Sequence, residues 1–214
     1  MKTVKIPQSA CQEFEDRSDR PGLFSVRTDP PVARTRTRSG PTSFDRARQK
    51  YRPRKVRFLL IAESPPSSGG FFYFPKTIGK DHLFRETMKA LELWPKDEPM
   101  RRGVDKRSML RHFQSMSLYL LDTCLFPVNK LSSIERRKAI LQGVPRLAED
   151  VAEANPLHIF IVKCSIFDPV TSALERSELW RRVLNKGPVP FPSHGNQRKY
   201  RSMLKRALST AGIW

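Results

Sequence analysis

Cysteine and histidine are scarce in this 214-residue chain, and neither is spaced as a metal site requires. The three cysteines, Cys11, Cys124 and Cys164, lie far apart and form no Cys-x-x-Cys pair. This spacing argues against a disulfide framework and against a cysteine-based metal site. The four histidines form no ligand-spaced pair either. We therefore expect no metal, no organic cofactor and a reducing compartment.

Long hydrophobic runs are also missing. The amino terminus has no apolar core segment of the kind that export signals carry, and no run approaches the roughly 20 apolar residues of a membrane-spanning helix. We therefore expect no membrane association and a monomeric cytoplasmic protein, nucleoid-associated if its source is bacterial. The chain is long enough for one domain with a sizeable core and an appendage.

Negative charge is in short supply: 21 Asp and Glu face 40 Lys and Arg, which gives a formal net charge of +19. Each phosphate that a basic side chain neutralises releases counterions, so this excess favours a polyanionic partner. The expected partner is DNA, single- or double-stranded, or RNA. Charge alone leaves open a ribosome-associated protein or a basic protein that is merely soluble.

The first 52 residues differ in composition from the rest. Arginines and threonines alternate over Arg34–Arg38, prolines are frequent, and few apolar residues recur at helical or strand spacing. This pattern predicts a basic arm over residues 1–52, extended or partly disordered, that adds nonspecific affinity for nucleic acid. A solvated tail without a function fits the same composition. The domain proper is expected over residues 53–214.

One apolar run ends abruptly in polar residues and prolines. Val56–Ala62 predicts a buried strand, and Pro65 and Pro66 cannot extend its hydrogen bonds. Glu63 and Ser64 are thereby placed at the carboxyl end of the strand, where open α/β sheets bind ligands. A Ser/Gly turn and three aromatic residues follow, and aromatic rings can hold a flat heterocycle such as a nucleobase. These three are Phe71, Phe72 and Tyr73.

Apolar periodicity elsewhere predicts alternating strands and helices. Further strands are expected at 117–122, 158–163 and 189–193, and helices at 79–94, at 134–154 and from about residue 197. The expected fold is a three-layer α/β/α sandwich with a central, mostly parallel, four-stranded sheet. In the helix at 134–154, Leu141 is expected to face the core and Arg136 to lie on the solvated side.

The order of these signals resembles the uracil-DNA glycosylase superfamily, particularly its smaller microbial branches. Those branches end their first strand on Gly-Glu-Ala-Pro-Gly, where this chain has Ala-Glu-Ser-Pro-Pro at 62–66. The segment 119–122 resembles the second strand, 155–159 the Asn-Pro-x-x-Ile motif, and 191–194 the closing His-Pro-Ser motif. The resemblance covers residues 55 to 208 and implies a uracil-DNA glycosylase-like fold.

The resemblance also implies roles for individual residues. Glu63, helped by Ser64, matches the residue that positions or activates water for attack at the sugar C1′. One of the three aromatic residues would stack on the extruded base, and Asp122 would read the edge of that base. Two structural alternatives remain open: Glu63 pairs with a nearby arginine or caps a helix, and Asp122 caps a turn.

Two departures from the family pattern affect the expected chemistry. Asp122 stands where the family has asparagine; ionised, it offers only acceptors and would favour an exocyclic amine, such as cytosine N4, over uracil O4. Protonated by burial, it could again donate to a carbonyl. Phe191 replaces the histidine that steadies charge on the departing base, which leaves that role to backbone N–H groups or to His194. A surface position in the DNA-contacting loop is the open alternative for His194.

The segment before and within the last helix has the chemistry of a phosphate-binding surface. Gly195 permits close approach of the backbone, and the start of the helix presents free N–H groups to an anion. In a glycosylase this loop would press into the minor groove while the base leaves the stack. The expected DNA-binding residues are Ser193, Gly195, Asn196, Arg198, Lys199 and Arg201.

The sequence therefore predicts a monofunctional DNA glycosylase that flips a damaged or deaminated base and hydrolyses its N-glycosidic bond, as in base-excision repair. The alternative is a catalytically inactive nucleic-acid-binding module on the same fold. A small-molecule hydrolase or transferase is the third hypothesis, and it would not need so large a positive charge.

Overall fold

Helices and parallel strands alternate along the chain. The structure, a computed structural model, describes residues 42–213 apart from residues 78, 80, 96 and 100. In chain order the elements are α1 (Ser43–Lys50), β1 (Phe58–Ala62), α2 (His82–Ala90), α3 (Arg107–Ser115), β2 (Leu118–Asp122), α4 (Ser133–Ala154), β3 (His158–Ile161), α5 (Cys164–Glu175), a 3₁₀ helix (Leu179–Arg182) and α6 (Gln197–Thr210). The class is mixed α/β, as the sequence predicts.

The strands form an open parallel sheet in the order β2-β1-β3. Strand β1 lies in the centre and is buried along its whole length, which explains its unbroken apolar sequence. Ala62 is in register with Asp122, so β1 and β2 end at the same level. The register therefore brings the residues that follow β1 and the last residue of β2 to one edge of the sheet.

The sequence predicts four strands, but the sheet in the described residues has three. Residues 189–193 form no strand, because Pro190 and Pro192 lack the N–H groups that a ladder requires. Val189 instead accepts one hydrogen bond, of 2.8 Å, from the backbone of Lys163. A single parallel bridge between Ile159 and Val183 occupies the outer side of β3.

Helix α4 begins with a capping box and presses closely on the end of β2. Ser132 Oγ accepts from Glu135 N, and the Glu135 carboxylate accepts from Ser132 N. A Cβ at Gly143 would lie 2.3 Å from the carbonyl oxygen of Thr123, so only glycine permits this approach. Arg146 Nη2 then donates to the carbonyl oxygens of residues 122 and 123. The helix is thus fixed against the edge where β1 and β2 end.

The predicted basic arm of residues 1–52 contains a helix in its described part. Thr42 and Asp45 form a capping box at the start of α1. The helix packs on the domain, where the centroids of the Phe44 and Phe71 rings are 5.0 Å apart. No helix was expected here, because the few apolar residues of this segment recur at no helical spacing. The arginine-rich stretch and the rest of residues 1–41 lie outside the described residues.

The remaining helices agree with the sequence in part. The three predicted helices are present as α2, α4 and α6, although α2 is shorter than expected, while α3 and α5 were not predicted. Leu141 was expected in the core and is 52% exposed. Within the described ranges, none of the helices has the length and apolar character needed to cross a membrane.

Candidate functional site

A cavity of about 230 Å³ opens at the carboxyl ends of β1 and β2. Its walls combine aromatic rings with carboxylates, a lysine and a hydroxyl group. Binding at this edge is what an open parallel sheet favours, since the loops after neighbouring strands diverge there. The lining includes Glu63, Ser64, Phe71, Phe72, His82, Phe84, Asp122, Asn129, Lys163 and Phe191.

Hydrogen bonds between the loops after β1 and β2 hold the cavity in shape. Thr123 donates to the Ala62 carbonyl from both its backbone N, at 2.8 Å, and its Oγ1, at 2.9 Å. The Asn129 side chain accepts from Ser67 N and donates to Ser67 Oγ, each over 3.0 Å. The two loops therefore behave as one unit, and the side chains between them are preorganised.

Glu63 is the centre of a buried ion-pair network. Its side chain is 4% exposed, and Arg136 of α4 grips both carboxylate oxygens, from Nη2 at 2.7 and 2.8 Å and from Nε at 3.0 Å. Lys163 Nζ donates to Oε2 over 2.6 Å, and Ser165 Oγ donates to Oε1 over 2.7 Å. A carboxylate has about four lone-pair sites, so these five hydrogen bonds saturate it.

These partners fix the charge of the site. Burial raises the pKa of the Glu63 carboxyl, but Lys163, Ser165 and Arg136 together hold it below its ordinary value of 4.5. One carboxylate between two cations leaves one unit of positive charge in excess beside the cavity. Glu63 is thus paired with an arginine, as one of the two interpretations of the sequence expected. The lowered pKa of its carboxyl makes it a weak proton acceptor.

Asp122 reaches the cavity from the end of β2 and is paired from behind. Arg48 Nη2 of α1 donates to its Oδ2 over 2.9 Å, and both side chains are nearly inaccessible to water. Burial raises the pKa of the Asp122 carboxyl, while Arg48 opposes that shift. A guanidinium offers donors only, so it stabilises Asp122 as an acceptor.

The aromatic residues after the Ser/Gly turn divide into two groups. Phe71 and Phe72 line the cavity, and both are also packed into the core. Tyr73 does not line it: its hydroxyl donates to the Leu120 carbonyl and accepts from Leu120 N, 3.3 and 2.7 Å away. Lys106 is wholly buried, and its Nζ donates to the Phe71 carbonyl over 2.8 Å, which supports that wall from below.

Phe191 and His194, from the last motif, occupy different environments. The Phe191 ring lines the cavity, with Lys163 Nζ 5.4 Å from its centroid. His194 is exposed, has a left-handed backbone at φ 49° and contacts Ser193 Oγ at 2.9 Å through Nδ1. The structure therefore brings Phe191 together with Glu63 and Asp122, and it leaves His194 outside the lining of the cavity.

The predicted phosphate-binding residues also differ in their surroundings. Arg198 and Lys199 are exposed at the start of α6, next to Gly195 with its positive φ of 84° and to Asn196, the residue before the helix. Arg201 is half-buried and ion-paired with the buried Glu86 of α2. Arg201 therefore fastens α6 to α2, while Arg198 and Lys199 face the solvent.

Sequence reasoning missed four basic residues of the site. Arg136 was assigned to the solvated side of its helix but reaches Glu63, and Arg48 was assigned to the arm. Lys106 carries no sequence signal that distinguishes it from a surface lysine. Lys163 did carry one: like Glu63 after β1, it is a charged residue that follows a buried apolar strand, two positions after β3 ends at Ile161.

No cluster of three or more His, Cys, Asp or Glu side chains suited to a metal ion occurs in the described part of the chain. No family model and no curated protein matches the sequence.

Proposed function

We propose that the protein is a DNA glycosylase-like enzyme that takes one extruded base into the cavity and hydrolyses its N-glycosidic bond. The observation that carries the proposal is the convergence of Glu63, Asp122 and four phenylalanine residues on one cavity at the end of the sheet. The finer fold expected with this function is a three-layer uracil-DNA glycosylase-like sandwich. The strand order and the position of the cavity are compatible with it.

The size and lining of the cavity favour a single flat ring system. Its volume of about 230 Å³ is below the ~300–1,000 Å³ of pockets for drug-sized ligands. The rings of Phe71, Phe72 and Phe84 supply apolar walls, and polar groups lie at the strand ends. This combination is typical of sites that hold a flipped base by stacking and by hydrogen bonds to its edge.

Asp122 defines the class of base in this proposal. Because Arg48 holds its Oδ2, the carboxylate acts as an acceptor toward the cavity. An acceptor pairs with an exocyclic amine, as on cytosine, and repels a carbonyl oxygen, as on uracil. We therefore expect an amino-bearing base to be preferred over its deaminated counterpart.

Hydrolysis needs a water molecule at the sugar C1′, and the Glu63 network limits how it is supplied. All acceptor positions of Glu63 are occupied, so the carboxylate accepts from a water only after a bound base has displaced one of its donors. Its low pKa keeps it ionised, so it orients the water rather than removing the proton early. Ser64 Oγ, which also lines the cavity, provides a second contact to that water.

The basic surface supplies affinity for DNA. Arg198 and Lys199 are exposed beside the loop at Gly195, where they would neutralise backbone phosphates. The net charge of +19 adds a nonspecific attraction that does not depend on sequence. RNA would be attracted by the same charges, so the test below compares DNA with RNA.

A nucleic-acid-binding module without catalysis is the second candidate, and one observation favours it. The five hydrogen bonds to Glu63 form a stable structural network that needs no substrate. In that case the cavity would bind an extruded base and release it intact. The two candidates make the same prediction for binding and opposite predictions for an abasic product.

The test is an excision screen with single- and double-stranded oligonucleotides and RNA that carry cytosine, methylated cytosine, uracil, hypoxanthine or xanthine at one position. Alkali cleaves any abasic site that the protein leaves. We expect product from an amino-bearing base, and Asp122→Asn should shift the preference toward carbonyl-bearing bases. Binding across the panel without any abasic product would replace the enzyme with the binding module.

A further inference from the structure

We propose that Lys163 is the catalytic residue that stabilises the negative charge on the departing base. The inference rests on the proposed function, because it assigns a step of glycosidic hydrolysis to a residue of the same cavity. From the sequence, that role was expected of backbone N–H groups or of His194. Three observations carry it: the place of Lys163 in the chain, the position of its Nζ and, among the described residues, the poorer placement of the other cations.

The backbone of Lys163 is held in a conformation that its side chain disfavours. Its φ is +96°, in the left-handed region that non-glycine residues rarely adopt. Its N–H donates to the Val189 carbonyl over 2.8 Å, and α5 begins at the next residue. Strained positions of this kind cluster at functional sites, where the surrounding structure fixes them. Lys163 lies two residues after the end of β3, and it lines the cavity.

The ammonium group is fixed between a carboxylate and an aromatic face. Nζ lies 2.6 Å from Glu63 Oε2 and 5.4 Å from the centroid of the Phe191 ring. The side chain is 24% exposed, and Lys163 lines the cavity. Among the described residues its hydrogen-bond partner is Glu63, so an ammonium with three N–H donors keeps donors for a ligand.

Cleavage of the N-glycosidic bond creates the charge that Lys163 is placed to meet. The C1′–N bond breaks, and its electron pair stays with the base, which becomes an anion. The oxygen of one water molecule bonds to C1′, and the proton that this water loses passes through solvent to the base. Lys163 stays protonated and donates a hydrogen bond to the anion, as preorganised donors do for other developing anions. The electrons and atoms of hydrolysis are then balanced without a further reactant.

Within the part of the chain that the structure describes, the other cations near the cavity are less suited to this role. Arg136 is paired with Glu63, and Arg48 is paired with Asp122. Neither arginine lines the cavity. His82 does line it, but its Nδ1 faces the Arg85 guanidinium at 3.2 Å. His194 is exposed and lies outside the lining.

The experiment compares two leaving groups in single-turnover excision by the wild-type protein, Lys163→Met and Lys163→Arg. The probes are oligonucleotides with cytosine or 5-fluorocytosine, and with uracil or 5-fluorouracil, at one position. Fluorine makes each base a better leaving group, so its departure depends less on Lys163. We expect Lys163→Met to slow excision on the order of 10²–10³-fold for the unfluorinated base and clearly less for its fluorinated partner. Lys163→Arg should retain more activity.

Controls separate this role from a structural one. Lys186→Met removes an exposed lysine outside the cavity and should leave the excision rate unchanged. DNA affinity and the melting temperature of Lys163→Met should stay close to wild type, since Arg136 still pairs with Glu63. An equal loss of excision rate for both leaving groups would overturn the role of Lys163 but not the proposed function. A covalent adduct of DNA with residue 163, trapped by borohydride, would have the same meaning. No abasic product from the wild-type protein would overturn the proposed function and this role together.

Discussion

Arg48 donates a hydrogen bond of 2.9 Å to Asp122, although 74 residues separate them along the chain. Arg48 lies in α1, which precedes the predicted domain, and Asp122 ends β2 in the lining of the cavity. The guanidinium also lies 5.4 Å from the centroid of the Phe71 ring, a second wall of the cavity. A helix assigned by composition to an extended or partly disordered arm is therefore part of the site.

Removing Arg48 should destabilise the protein strongly. Arg48→Met leaves the Asp122 carboxylate buried without its cation, and losing one partner of a buried pair costs about 3–5 kcal/mol. The measurement is the free energy of unfolding in urea. Adding Asp122→Asn should recover part of the loss, because it removes the unpaired charge. The exposed Arg111→Met should change stability by less than about 0.5 kcal/mol, and an equal effect there would contradict the prediction.

Replacing Glu63 should alter how stability depends on pH. The pKa of Glu63 is lower in the folded protein than its ordinary value of 4.5, so its ionisation favours folding above that pH. This contribution is lost as the pH falls through the folded pKa. Glu63→Gln should therefore be less stable than wild type by about 1–3 kcal/mol at pH 7, and the gap should narrow below pH 4.5. The check is urea unfolding between pH 3 and 7, in steps of about one unit.

A matched carboxylate variant isolates this effect. Glu175→Gln removes an exposed carboxylate from α5, and we expect a small difference in stability at every pH tested. A gap between wild type and Glu63→Gln that stays constant as the solution is acidified would show that the Glu63 charge does not favour folding.

Lys106 should produce a dependence of the same sign, but at alkaline pH. Burial lowers its pKa from 10.5 to about 8, while Asp81 partly opposes the shift. Between these values the unfolded chain binds the proton and the folded protein does not, so stability rises with pH. Relative to Lys106→Met, the wild type should gain up to about 1.4 kcal/mol per pH unit over this interval. A parallel comparison with the exposed Lys130→Met should show no such slope.

The three basic residues at the start of α6 should separate into two roles. Replacing Arg198 and Lys199 by glutamine should lower the slope of log affinity against log salt by about one unit for each residue, without loss of stability. Arg201→Gln should instead cost about 1–3 kcal/mol of stability, because Glu86 is buried beneath it. Fluorescence anisotropy of a labelled oligonucleotide and urea unfolding measure the two effects. A change in salt slope for Arg201→Gln at unchanged stability would reverse these assignments.

Local signals were enough to predict the centre of the fold. The unbroken apolar stretch of β1 and the prolines after Ser64 determine a buried strand that ends just before Glu63, since neither feature depends on distant residues. The same logic located β2 with Asp122 at its end, and β3. It failed at residues 189–193, where apolar residues between prolines indicated a strand that the missing N–H groups do not allow.

Contacts between distant segments were beyond the reach of the sequence. Arg136 lies within a run of charged residues whose pattern indicates a solvated surface, yet the close approach at Gly143 fixes α4 near Glu63. Tyr73 is a sequence neighbour of Phe71 and Phe72, but its hydroxyl bonds with Leu120 keep it in the core.

The sequence by itself determined the charge of the protein, the class of its fold and the edge of the sheet at which its polar residues gather, because composition and periodicity are local properties. Only the tertiary structure decided how those residues are paired. Glu63 lies between Arg136 and Lys163, and Arg48 holds Asp122. The physical reason is that a buried charge takes whichever partner the packing brings near, and packing depends on the whole chain.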